Sequence, residues 1–411
     1  MIPFSISAIT TFLVFFAPAA SLIIPHGIGI GNILLLLLSV LVLARDSTIL
    51  LLKPEEKHLL AAFGFFSATA FFSVFLLKDP LSELEVPSRF ALAIPIYFLL
   101  RRFPPSKEAF WLGTAIGAIG GGLFAIYQKF ILGLTLAEGH VHHIQFGDVS
   151  LILGMTAAIG LPSLKNILWG RHLVIAALAL GIIGSILSGA RGGWLSIPIL
   201  LYCLYRFYQQ YFTLLYMTQK KEVAIKSLAI GILMVFLLFQ TGVSQRIALG
   251  VSEIKQYQTG ESATSIGLRF ELWKASKQIF IAHPLLGVGR SGFLALIKEQ
   301  VDLRRIHPMT TQFPHAHNDF IDTLAKRGLL GGIALLLILI VPARLFVRSL
   351  QEGNALQKPF AMAGLMLILG YLVFSMTENI FFHRLSATYY IFSVIFLYAS
   401  IMTIREKNPV D

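Results

Sequence analysis

Charge is what this 411-residue sequence has least of. Asp, Glu, Lys and Arg make up 13% of it, about half the share in a soluble domain. With 56% hydrophobic residues and a mean hydropathy of +0.76, an ordinary soluble fold is excluded. Cysteine is nearly absent. Cys203 stands alone in an apolar run, which excludes intrachain disulfides and thiolate metal clusters. Strict apolar/polar alternation is missing as well, and continuous apolar runs rule out a β-barrel. Without a Walker sequence or a G-x-S-x-G elbow, nucleotide hydrolysis and serine-hydrolase chemistry are disfavoured. Internal repeats and low-complexity tracts are also lacking.

What is present is a series of apolar runs near bilayer length. They predict an all-α polytopic membrane protein with about twelve spans: 4–24, 28–45, 58–77, 87–103, 110–132, 148–165, 172–190, 192–209, 223–241, 318–343, 359–376 and 385–404. The first run has no preceding basic residue and no small-residue cleavage site, so it reads as a retained span. Basic residues fill the gaps after even-numbered spans, such as Arg101, Arg102 and Lys107, or Arg344, Arg348 and Lys358. The intervening gaps are acidic or nearly neutral. This bias predicts cytoplasmic N- and C-termini. It also accounts for much of the net charge of +12 without nucleic acid, so no nucleic-acid partner is expected.

The chain reads as a single membrane domain, 1–411, broken by one long polar segment, 242–316. That segment carries nine Lys/Arg against five Asp/Glu, a net +4, and the topology places it outside the cytoplasm, as a loop packed on the bundle. An apolar stripe of Leu268, Leu272, Ala275 and Ile279 recurs at helical spacing there, with Arg269 beside it and Trp273 one turn on.

Three residues stand out on that outer side. Arg191, in Ser188-Gly189-Ala190-Arg191-Gly192-Gly193-Trp194, sits where two apolar runs meet with almost no loop. A deep arginine costs about 2.5–3.5 kcal/mol and calls for an anion, although an arginine snorkelling at a helix end is the plainer alternative. Arg269 is either a second anion contact or a rim arginine paired with Glu271 or Glu261. His317 follows Pro314 and precedes Asn318, a natural N-cap. A helix N-terminus favours neutral imidazole, the form a general base needs. His315, two residues away, is expected to point elsewhere, so that at most one of the pair faces a shared site. The alternative for either is an interfacial histidine on a backbone carbonyl. Arg89 and Glu378, at outer span ends, are secondary candidates with His315 and Asn318. Asp79, Glu83 and Glu85 could bind a divalent ion but read more as a solvated acidic loop. His140, His142 and His143 lack a second ligand group at metal spacing. Gly287-Val288-Gly289 is a turn, too short for a dinucleotide fingerprint.

Two arginine forks match phosphate oxygens, and a base implies an activated hydroxyl. Together they describe transfer of a group from a lipid diphosphate to a hydroxyl, with the arginines stabilising the departing phosphate. The ordered set of motifs resembles the O-antigen ligase and polymerase superfamily over about residues 180–345. It comprises Ser188 to Leu195, Arg269-Phe270-Glu271-Leu272-Trp273, His283-Pro284-Leu285-Leu286-Gly287-Val288-Gly289, and His317-Asn318 with Gly328 and Gly331. The resemblance implies a C-type glycosyltransferase-like bundle with one long periplasmic loop, in the bacterial inner membrane. It implies an undecaprenyl-diphosphate-linked glycan donor and a lipid A-core acceptor, Arg191 and Arg269 on the diphosphate, and His317 as base. No cofactor and no metal is expected. Gly331-Gly332 stands where the ligase pattern often has Thr-Tyr, which keeps a polymerase using the same donor as an alternative. A lipid-glycan flippase is the alternative from another class, although transporters usually show repeats or broken helices.

Overall fold

The structure, a computed structural model, describes residues 5–45, 50–215 and 243–408. The span expected at 223–241 lies outside these. Among the described residues there are helices and connections but no strands. The membrane-spanning part comprises α1 (Ile6–Ala20), α2 (Gly27–Arg45), α3 (Pro54–Leu77), α4 (Glu85–Arg102), α5 (Lys107–Ile126) and α6 (His143–Ile159). A single turn, α7 (Leu161–Leu164), leads to α8 (Gly170–Ser188), a second single turn α9 (Arg191–Trp194), and α10 (Ile197–Leu215). The polar segment contributes α11 (Val243–Gln258), α12 (Ser265–Ala282) and α13 (Gly289–Asp302). The chain finishes with α14 (Asp319–Glu352), α15 (Lys358–Thr377) and α16 (Arg384–Lys407).

Seven of these helices, α2, α3, α5 with its extension to Ile131, α8, α14, α15 and α16, are long and apolar enough to cross a membrane. The shorter α1 and α6 are apolar too. The chain is therefore a multi-pass membrane protein. α2 carries an outward row of Ile30, Ile33, Leu37, Val40 and Leu41, all exposed, which suits lipid rather than water. α16 is the central post, buried along most of its length against α4, α15 and α2.

At the end where α16 finishes, Arg101 of α4 joins three helices. Its Nε lies 2.7 Å from Glu56 Oε1 of α3, and its other nitrogens reach Glu406 of α16. Tyr97 Oη donates to the same Glu56 oxygen at 2.7 Å. Breaking a buried pair strands a charge, so Glu56→Ala is expected to cost about 3 kcal/mol, while a paired Glu56→Leu/Arg101→Met replacement costs less. Thermal unfolding in detergent checks this; equal losses from the two would refute it.

The segment expected as a loop is mostly helical. Leu268, Leu272, Ala275 and Ile279, the stripe read from the sequence, are buried. Leu272, Ala275 and Ile279 form a small core with Phe293, Ile297 and Ile306 that closes on Ala325 of α14. α14 is not continuous: Gly328 interrupts it with φ +60° and ψ −159°. The turn 283–289 fits into that break. Leu329 N donates to Pro284 O at 2.8 Å, and Val288 N to Ala325 O at 3.2 Å. Gly287, itself at φ +66°, presses on the backbone of Lys326 and Arg327, and Gly328 on that of Leu285 and Leu286, where a Cβ would collide.

The acidic residues between α3 and α4 are not solvated as expected. Asp79 is buried, and its carboxylate accepts from Arg290 N (2.7 Å) and Ser291 N (2.8 Å), the opening amides of α13. Glu83 pairs with the Arg290 side chain at 2.5 Å. Glu85 holds Arg89 at 3.0 Å and Arg384 at 2.5 Å. A carboxylate at a helix N-terminus satisfies donors that have no partner inside the helix. Asp79→Ala is expected to weaken docking of the polar segment by about 1–2 kcal/mol. Faster limited proteolysis within residues 243–316 is the readout, and an unchanged cleavage rate would refute the latch.

Candidate functional site

The site forms where α15 ends. Glu378, just past α15, is nearly excluded from solvent, with 3% of its side chain exposed, and it is the focus of the cluster. His317 Nδ1 lies 3.0 Å from both carboxylate oxygens. His315 Nδ1 is 3.7 Å from Oε1, His383 Nε2 is 3.9 Å from Oε1, and Arg269 Nη2 is 3.9 Å from Oε2. Burial alone would raise the Glu378 carboxyl. The hydrogen bond from His317 and the approach of His383 and His315 outweigh it and hold the group below the usual carboxylate range. Burial, reinforced by His317, pushes the His315 imidazole down to about 4.

The backbone of 314–318 is held at Pro314, Ala316 and Asn318. Trp273 Nε1 donates to Ala316 O at 2.8 Å. Ala316 N donates to Asp322 Oδ1 at 2.9 Å, and Lys326 Nζ bridges Pro314 O and Asp322 Oδ2, both at 2.9 Å. Asn318 behaves as expected of an N-cap, accepting from Ile321 N at 3.0 Å. It also ties the loop to the end of α15: Asn318 N donates to Asn379 Oδ1 (2.9 Å), and Nδ2 to Met376 O (3.0 Å). Within this frame His317 adopts φ +51°, in the left-handed region that non-glycine residues seldom occupy. Such strain persists only where surroundings impose it.

That turn corrects one expectation. His315 and His317 do not diverge. Residues 313–318 are not helical, and the left-handed His317 swings both rings toward Glu378, with centroids 4.4 Å apart. With Nδ1 of His317 on the carboxylate, Nε2 is left to accept a proton. The nearest charge to the ring is thus Glu378, rather than the helix dipole on which the sequence argument relied.

Arg269 donates from Nη1 to Thr377 O at 3.1 Å, so it is paired with neither Glu271 nor Glu261. Glu271 accepts instead from Tyr257 Oη at 2.8 Å. Arg191 opens α9, whose backbone lies directly against α15 and α6: a Cβ on Gly192 would strike Thr377 Oγ1 of α15, and one on Gly193 would strike Asp148 Oδ1 of α6. These glycines let the turn sit against α15. The Arg191 guanidinium passes Gly250 of α11, where a Cβ would stand 3.9 Å from Nη1. Arg269 and His317 are therefore gathered around Thr377 and Glu378 from α12 and the start of α14, while the α9 turn that carries Arg191 abuts Thr377 through Gly192.

Arg89 is not part of this cluster. It bonds Thr388 Oγ1 at 2.6 Å and Glu85, and it lines an adjoining cavity of about 850 Å³ with His142, Asn379 and His383. His142 is lowered by burial and then by His143. His143 Nδ1 donates to Ser188 O at 2.9 Å, and His140 lies on the Phe124 ring. Sequence reasoning missed Thr377, Asn379 and His383. A run of polar residues, Glu378-Asn379 and His383-Arg384, between two apolar helices was the available signal.

Residues 176–336 match the family described as O-antigen ligase. Over that stretch, somewhat under half of the chain, the protein is similar to this family. The matched stretch contains Arg191, Arg269 and His317, while Glu378 lies beyond it. A Haemophilus influenzae protein described as uncharacterized is 28% identical over 378 residues, covering 90% of this chain and 92% of that one. That similarity implies, in general terms, a glycosyltransferase-like ligase working with lipid-linked glycan and lipid A-core. In such a protein, a histidine on a buried carboxylate beside an arginine fork suits hydroxyl activation next to an anionic leaving group.

Proposed function

We propose that this chain transfers O-antigen glycan from undecaprenyl diphosphate to a sugar hydroxyl of lipid A-core, at the periplasmic face of the bacterial inner membrane. One observation carries the reading. His317 and Arg269 share the Glu378 carboxylate, at 3.0 Å and 3.9 Å, and an imidazole beside a guanidinium supports reading them as base and anion-binding fork. His317 Nε2 takes the proton of the acceptor hydroxyl while Glu378 holds the ring and balances the imidazolium. The acceptor oxygen bonds to the anomeric carbon as the bond from that carbon to the phosphate oxygen breaks. Arg269 spends one N–H on Thr377 O and keeps others for the diphosphate; Arg191 meets it from the α9 side. The arginines balance the leaving charge, so no metal is required. A single displacement inverts the anomeric centre, and retained configuration in the product would exclude it.

Purified protein, supplied with lipid-diphosphate glycan and either lipid A-core or a second donor molecule, tests the reading. A glycosidic bond to lipid A-core supports it. A lengthened glycan on the lipid diphosphate, with lipid A-core left unmodified, makes the chain a polymerase. No new bond in either mixture leaves a transporter.

A further inference from the structure

The reaction above uses His317 and Glu378 but gives His315 nothing to do. His315 is 9% exposed at its side chain, and its Nδ1 is buried without a hydrogen-bond partner among the described residues. It faces the Glu378 carboxylate at 3.7 Å, too far for a hydrogen bond. A buried polar atom left in this state is costly and calls for an explanation. One donor atom each from His315, His317 and Glu378 lies within 4.8 Å of the others. Two imidazole nitrogens and one carboxylate form a donor set that zinc takes in three-ligand sites, with the fourth position open. Tetrahedral zinc bonds of about 2.0–2.1 Å place donors about 3.3 Å apart. The His317–Glu378 separation is already 3.0 Å and the His315–Glu378 separation 3.7 Å.

We infer that His315, His317 and Glu378 form an inhibitory site for a divalent transition ion, zinc above all. The ion would replace the proton that His317 Nδ1 shares with Glu378, releasing it to solvent. Bound this way it ties down the His317 ring and takes up the charge of Glu378, so the base no longer works. Calcium and magnesium, which prefer oxygen ligands, fit the set poorly. Arg269 at 3.9 Å from Glu378 Oε2 opposes a cation, which argues for reversible rather than permanent occupancy. Metal binding stands on this geometry alone; inhibition also rests on the function proposed above.

The test is Zn2+ binding to the purified full chain, measured by competition with a chromophoric chelator, with Co2+ absorption as a probe of tetrahedral ligation. One ion per chain is expected, with affinity at least about tenfold weaker in His315→Ala. His172→Ala, at a histidine packed against Trp169, is expected to bind as the wild type does. His315→Gln serves as the second variant if the alanine variant fails to fold. Equal binding by wild type, His315→Gln and His315→Ala would overturn the site. Zn2+ is also expected to stop glycan transfer reversibly, with chelator restoring it. Zinc binding without inhibition would overturn the inhibitory role. Absence of transfer by metal-free protein would instead count against the proposed function.

Discussion

His317→Asn is expected to lower glycan transfer by about 10²–10⁴-fold, the usual contribution of a general base. Asparagine is the informative replacement because of the backbone. His317 sits at φ +51°, which asparagine tolerates, whereas alanine in the left-handed region costs roughly 1–2 kcal/mol. Alanine would mix loss of the base with distortion of a loop whose neighbours Ala316 and Asn318 are hydrogen-bonded on both sides. The asparagine variant should keep its thermal midpoint while single-turnover product formation collapses. Full rate at neutral pH in a folded His317→Asn protein would end the assignment of His317 as base.

The second large effect is expected at the arginines. Arg269→Ala and Arg191→Ala should each lose about 10²–10³-fold in turnover, as when one preorganised donor to a developing anion is removed. Lysine should rescue either poorly. Arg269 makes contacts of different kinds with two of its nitrogens, Nη1 to Thr377 O and Nη2 toward Glu378, and a lysine ammonium cannot reproduce that planar spread. At Arg191 the backbone cannot adjust, because Gly192 and Gly193 already touch Thr377 and Asp148. Near-normal turnover in both alanine variants would remove the diphosphate clamp, whatever the acceptor proves to be.

The residues most legible in the sequence were those that break a local rule. Arg191 is a charge at a seam between apolar runs, and Arg269 borders an apolar stripe that proved buried. The spans were legible for the same reason, since apolar runs near bilayer length have few alternatives. Their ends were less so: the run expected at 192–209 became the turn Arg191–Trp194 followed by Ile197–Leu215, because the glycines wind separately against α15. What stayed hidden depends on pairing over long distance. Glu378 and His317 are 61 positions apart, so nothing near either announces the other. His315 was misjudged because helical spacing was applied to residues that are not helical. Asp79 looked like a solvated acid because its partners, the amides of Arg290 and Ser291, are more than 200 positions away and invisible in composition.

Gly287 and Gly328 press backbone on backbone, with the turn 283–289 sealed into the break of α14. This makes them a matched pair for protein engineering. A polar segment borrowed from a relative brings its own turn but not its own break, so a graft cut at residue 316 separates two halves of one joint. A graft that continues through Gly331 carries both halves. The natural unit of exchange in this chain therefore ends inside a membrane-spanning helix, fifteen residues beyond where the polar sequence stops (316 to 331).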